Sequence, residues 1–171
     1  MKVSPIHIPG ILVVEPHIFG DERGTFSQTF DKDTFNIDFI IEAQSISRAG
    51  VIRGLHFQEE PFAQSKLVRV SSGKIIDVVV DLRNGSPTYG DHFKIELSSK
   101  NGRQLFIPKG FAHGFLALTD LAVVQYKFDV PYNANAQAGI VWNDPDIGID
   151  WGITKPIISD KDKNLPFWRY I

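Results

Sequence analysis

The stretch Gly102-Arg103-Gln104-Leu105-Phe106-Ile107-Pro108-Lys109-Gly110-Phe111-Ala112-His113 decides how this chain is read. Four of its positions, Gly102, Pro108, Gly110 and His113, follow the spacing G-x5-P-x-G-x2-H. Proline fixes one backbone angle and glycine tolerates the conformations that tight turns need, so Pro108 and Gly110 predict a sharp turn between two strands. That turn would aim His113 into whatever interior the strands enclose. Working outward, short β-branched and aromatic runs predict strands at Ile11–Val14, Thr25–Phe30, Val51–Phe57, Lys66–Val70, Lys74–Leu82, His92–Leu97, Gln104–Ile107, Phe115–Leu118 and Ala122–Phe128. The breaks carry turn chemistry, as in Ser71-Ser72-Gly73, Asn84-Gly85-Ser86-Pro87 and Lys100-Asn101-Gly102. Only Asp31–Ile37 reads as a helix, and a brief one. No repeat, low-complexity tract or linker interrupts the chain. The expectation is therefore one all-β domain over residues 1–171, folded as a jelly-roll sandwich or barrel.

Composition narrows the function. At 171 residues, 43% hydrophobic and 22% charged, the chain has an ordinary globular make-up with room for a core. With no cysteine, disulfides and thiolate metal sites are excluded. A net charge of -2 argues against a general nucleic-acid binder, though not against a basic pocket for one small anion. Met1-Lys2-Val3-Ser4-Pro5 lacks a secretory apolar region, and no apolar run is long enough for a bilayer, so a cytoplasmic location is expected. Thirteen Phe and three Trp exceed the needs of a minimal barrel core. Some of these rings are available to stack on a base or sugar.

The opening stretch resembles the second motif of the cupin barrels. Metal-binding cupins carry in addition a His-x-His pair followed by a Glu. Here that region reads Gly54-Leu55-His56-Phe57-Gln58, and Lys66 stands where the carboxylate would be. A stable transition-metal site needs three or four converging donors, whereas this barrel offers two histidines and a repelling ammonium. No metal and no cofactor are expected. The pattern suits proton chemistry.

Further blocks extend the resemblance. Asp21-Glu22-Arg23-Gly24, Gly50-Val51-Ile52-Arg53-Gly54-Leu55-His56-Phe57-Gln58, Gln64-Ser65-Lys66-Leu67-Val68 and Val80-Asp81-Leu82-Arg83 look like the RmlC-like sugar-nucleotide epimerases, the dTDP-4-dehydrorhamnose 3,5-epimerase family. So do Ile107–Phe115, Tyr126-Lys127, Trp142-Asn143-Asp144-Pro145 and Ser159-Asp160-Lys161-Asp162, in family order along nearly the whole chain. The resemblance implies a jelly-roll barrel that forms a homodimer. It implies a cofactor-free reaction that inverts the two carbons flanking the ketone of a dTDP-4-keto-6-deoxy sugar, a step in supplying dTDP-L-rhamnose for cell-surface polysaccharides.

The chemistry itself demands particular residue types. A proton beside a ketone is removable only if the enolate oxygen is stabilised, and a cation in a dry barrel does this best. Lys66 has that role by spacing, since it and His56 lie on consecutive predicted strands and both could face inward. His56 suits a base that works near neutral pH, and Arg53 beside it suits a diphosphate. Two cations depress a histidine unless a carboxylate offsets them. The family's His–Asp dyad implies Asp162 as that carboxylate, with Asp160 and Asp81 as weaker candidates. Inversion also needs an acid on the opposite face, and Tyr126 resembles the family's acid. His113 either braces its turn or hydrogen-bonds the ketone. Arg23, Gln28, Gln137 and Lys161 complete the substrate-binding set, with Arg23 reaching across the dimer.

Three departures affect recognition rather than chemistry. Gln28 and Gln137 stand where the family usually has Glu, and Ile41-Glu42-Ala43 stands where it usually has Gln-x-Asn. Losing an amide pair removes donors and acceptors that discriminate strongly between substrates. Glu to Gln keeps shape but turns an acceptor into a donor-acceptor. An epimerase acting on only one of the two carbons therefore stays open as an alternative. Outside the class the competitors are a metal-dependent cupin enzyme and a non-catalytic sugar-binding module.

Overall fold

The computed structural model describes residues 1–171, the side chain of Tyr170 excepted. Strands run in the order β1 (Lys2–Pro5), β2 (Leu12–Glu15), β3 (Ile18–Asp21), β4 (Gly24–Ser27), β5 (Ile41–Ser47), β6 (Ile52–Gln58) and β7 (Lys66–Ser72). They continue as β8 (Lys74–Asp81), β9 (His92–Ser98), β10 (Gln104–Ile107), β11 (Phe111–Ala117), β12 (Ala122–Phe128) and β13 (Gln137–Gly139), followed by one short helix, α1 (Asp160–Lys163). Two antiparallel sheets face each other. One has the order β1-β2-β10-β7-β12-β5, the other β13-β6-β11-β8-β9, and β3-β4 forms a separate hairpin. From β5 to β13 the chain changes sheet at every connection except the β8–β9 hairpin, which is the jelly-roll path.

Strand periodicity divides the apolar residues into three layers. Val68, Val70, Ile75, Val79, Leu105, Phe111, Phe115 and Val124 point between the sheets and form the central core. On the outer face of the five-stranded sheet, Ile52, Leu55, Val78, Val80 and Leu116 are covered by Ile140, Ile147 and Trp151 from the C-terminal segment. That segment is tied down by Ile157, whose carbonyl accepts from Ile52 N–H at 3.0 Å and whose N–H donates to Gly50 O at 2.8 Å. On the outer face of the six-stranded sheet, Val14, Leu67 and Phe106 are covered by Phe35, with Phe30 and Phe39 packed alongside. No helix among the described residues is long and apolar enough to cross a membrane.

Several sequence expectations change here. Asp31–Ile37 is not an α-helix. Only Lys32–Thr34 makes a 3-10 turn, capped by Asp31 accepting from Asp33 N–H, and the ring of Phe35 then turns inward into the aromatic layer. The helix of the chain lies at α1, where Ser159 caps by accepting from Asp162 N–H. β11 begins at Phe111 rather than Phe115, so His113 lies mid-strand instead of at a turn exit. Thr25–Phe30 shortens to β4, and β1, β3, β5 and β13 are strands that the composition did not mark.

One close approach between strands sets the spacing of the two histidines. β6 and β11 pair with His113 opposite His56 and a bulge between His113 and Phe115. A Cβ on Gly54 would stand 2.5 Å from Gly114 Cα and 2.8 Å from His113 O, and Gly54 has φ of +125°. Glycine on both strands lets the backbones touch, which seats the two imidazoles side by side.

Candidate active site

A cavity of about 590 Å³ opens between the two sheets, lined among others by Ser45, Arg53, His56, Lys66, His113, Tyr126, Gln137 and Asp162. β6 and β11 contribute the histidines from one sheet, while β7 and β12 contribute Lys66 and Tyr126 from the facing one. His56 and Lys66 thus face each other across the interior rather than lying in one sheet. The jelly-roll crossover makes this so.

α1 delivers the carboxylate. Asp162 Oδ1 lies 2.7 Å from His56 Nε2, and Oδ2 accepts from the Gly54 backbone N–H at 3.2 Å. Burial works to raise the Asp162 carboxyl, but the bonds from His56 and Gly54 outweigh it and hold the group below its ordinary value. The other carboxylates weighed for this position are engaged elsewhere. Asp81 is fully buried and accepts from Arg83, Ser86 and Thr88, which brace the turn after β8 and hold it near pKa about 2. Asp160 is exposed and accepts from Lys163 at 3.1 Å.

Lys66 is only 8% exposed, and its Nζ donates to the His56 carbonyl at 3.2 Å. Burial lowers its pKa to about 8, against the pull of Asp77. Asp77 is a residue that the sequence reading missed. It is fully buried on β8, its Oδ1 lies 2.5 Å from His113 Nε2, and its Oδ2 has no partner. An isolated Asp within Ile75-Ile76-Asp77-Val78-Val79-Val80 was the available signal, because charged residues are rarely fully buried without a task. Burial depresses the His113 imidazole despite that carboxylate.

Tyr126 stands on the facing sheet. Its ring meets His113 edge-on at 6.4 Å and stacks on Phe128 at 5.7 Å, and its hydroxyl lies 3.2 Å from Ser45 Oγ. Burial pushes the phenol well above the usual tyrosine range, although the Ser45 bond opposes it. At the mouth, exposed Arg53 donates from Nε to Ser47 Oγ at 3.0 Å and from Nη2 to Ile46 O at 3.3 Å. Gln137 Oε1 accepts from Tyr132 at 2.6 Å and from Lys161 Nζ at 2.5 Å.

Gln58 does not face a metal. Its amide donates to Phe62 O and its oxygen accepts from Asn133 N–H at 2.6 Å, pinning two loops together. The ring nitrogens that approach a carboxylate on His56 and His113 face Asp162 and Asp77, and no three potential ligands converge among the described residues. Arg23 and Gln28 do not join this cavity. Arg23 lies on the exposed β3–β4 hairpin paired with Asp21 at 2.6 Å, and Gln28 is exposed beyond it.

The chain matches the family model for dTDP-4-dehydrorhamnose 3,5-epimerase over residues 5–169. It belongs to that family. A relative of that name from Methanothermobacter thermautotrophicus is 48% identical over 92% of this chain and 89% of its own. The Bacillus anthracis dTDP-4-dehydrorhamnose 3,5-epimerase, solved with TDP and PPi bound, is 44% identical and superposes with a TM-score of 0.95 over 97% of this chain and 98% of its own. The Legionella pneumophila dTDP-6-deoxy-D-glucose-3,5-epimerase, solved with dTDP-4-keto-L-rhamnose, is 37% identical with a TM-score of 0.94 over 99% and 94%. The barrel is the cupin-type jelly roll of this epimerase family. Within it, the altered positions now have places. Ala43 lies opposite Tyr126 and Ile41 opposite Phe128 on β5, the edge strand beside the phenol. Gln137 keeps the acceptor function that a carboxylate would have toward Tyr132 and Lys161.

Proposed function

We propose that this epimerase inverts both carbons beside the 4-keto group of a dTDP-4-keto-6-deoxyhexose through an enolate, without metal or cofactor. One observation carries the reading. A carboxylate-backed imidazole and a phenol come from facing sheets into one cavity, which a buried ammonium also lines. The His56 nitrogen facing Asp162 carries the proton, which leaves the other nitrogen as the base. Lys66, with His113 beside it, holds the developing oxyanion at the part of the cavity where both side chains are buried. Tyr126 returns a proton from the opposite face. Arg53 takes the diphosphate and Lys161 the nucleotide side. Incubating chelator-treated enzyme with dTDP-4-keto-6-deoxyglucose in D2O tests the whole scheme. Two inverted carbons, each carrying deuterium, are expected at the untreated rate. Inversion at one carbon would move the assignment to a single-site epimerase, and recovery that required added metal would overturn the mechanism.

We propose further that the protein works as a homodimer in the cytoplasm, the compartment that a cysteine-free chain with a nucleotide-bound substrate fits. The β3–β4 hairpin supports the assembly, because it presents Phe19 and Phe26 at 59% and 72% exposure beside Arg23. The edge strand β5 adds exposed Ile46. Uncovered apolar rings and a free edge are features that a second subunit would bury. The hairpin would then bring Arg23 and Gln28 to the partner's cavity. Sedimentation should give a dimer, and Arg23→Ala should raise KM while leaving the fold unchanged. A monomer at every concentration with full activity would refute it.

A further inference from the structure

Inverting two carbons in one binding event imposes a requirement that one proton transfer does not. Each inversion leaves the base protonated and the acid deprotonated, so both must be reset before the second carbon can react. His56 can release its proton directly, since its side chain is 29% exposed to the cavity. Tyr126 is in a different position. Its phenolate is disfavoured by burial, and its ring packs against His113 and Phe128. Its hydroxyl hydrogen-bonds Ser45 Oγ at 3.2 Å.

Ser45 is suited to more than filling space. It stands on β5, the edge strand of its sheet, half-buried, and lines the same cavity. Two residues along, Ser47 is already engaged by Arg53 Nε, so the two serines do not compete for one partner. A hydroxyl donates and accepts at once, which lets it pass a proton without holding a charge.

We infer that Ser45 is a positioning residue that resupplies the proton of Tyr126 between the two inversions. In that step the Ser45 O–H proton moves to the phenolate oxygen while Ser45 Oγ takes a proton from cavity water. The resulting hydroxide is neutralised by the proton that His56 gives up to the same solvent. Charge and atoms balance, and the site returns to its starting state with the sugar still bound. The inference rests on Tyr126 being the acid.

The test is a quenched time course of Ser45→Ala in D2O with dTDP-4-keto-6-deoxyglucose, counting exchanged, singly inverted and doubly inverted sugar. Exchange should stay intact, which also shows that the barrel and base are intact. Doubly inverted product should fall roughly tenfold, less than the ~10²–10⁴-fold expected when the acid itself is removed. Singly inverted sugar should accumulate. Normal double inversion without accumulation would overturn the inference, as would parallel loss of exchange and inversion. Tyr126→Phe in the same series separates the two readings. If it blocks inversion while Ser45→Ala is silent, only the resupply step fails; if it leaves inversion untouched, the acid assignment fails and this inference with it.

Discussion

His56→Ala is expected to lose deuterium uptake and product together, each by the ~10²–10⁴-fold typical of a missing general base. No enolate forms without it, so neither observable has another route. Lys66→Ala should lower both as well, by ~10²–10³-fold, for a different reason. It removes a charge that stabilises the oxyanion common to exchange and inversion. The two are told apart by pH. In the wild type the ammonium of Lys66, set near 8 by burial, gives way to the neutral amine as pH rises. Because the ammonium is the form that holds the oxyanion, kcat/KM should fall above about that pH, and the residual activity of Lys66→Ala should lack this limb. An alkaline limb that survives in Lys66→Ala would show that another group sets it.

Tyr126→Phe is expected to uncouple the two signals. The enolate still forms, and His56 returns deuterium to the face from which it took the proton. Exchange with retained configuration persists while inversion falls by ~10²–10⁴-fold. The quantity to measure is exchange over inversion for His56→Ala, Lys66→Ala and Tyr126→Phe under one set of conditions. Only the tyrosine variant should raise it sharply. Equal loss of both signals in Tyr126→Phe would mean that the phenol helps form the enolate or merely holds the pocket together.

The parts of this molecule legible in the sequence were those written in local chemistry. β10 and β12 have the bounds that their β-branched and aromatic runs predicted, because such runs pack on both faces of a buried sheet. β5 and β13 were missed since an edge strand is half solvated and its residues, such as Glu42 and Gln44, look like loop. The false helix at Asp31–Ile37 had a good cap but no apolar stripe to bury. Its phenylalanines answer to the aromatic layer instead. In the site, His56, Lys66 and Tyr126 were recognisable by residue type and strand order. Asp77 and Ser45 were not assigned, because their importance lies in which atoms they meet on the neighbouring strand of the same sheet, His113 on β11 and Tyr126 on β12, and residue spacing does not encode which strands pair or in what register.

The C-terminal segment does two jobs with one piece of chain. It covers the outer face of the five-stranded sheet, and through α1 it carries the carboxylate that orients His56. Local opening of that segment would therefore take the carboxylate away from the imidazole proposed as the base while the two sheets stayed closed. The active fraction of molecules is then set by a sub-global equilibrium, smaller than the free energy of unfolding the barrel. Mutations in Trp151 or Ile147, which pack on the outer face of the sheet and do not line the cavity, would act on turnover by shifting that equilibrium, and their effect would scale with docking rather than with chemistry.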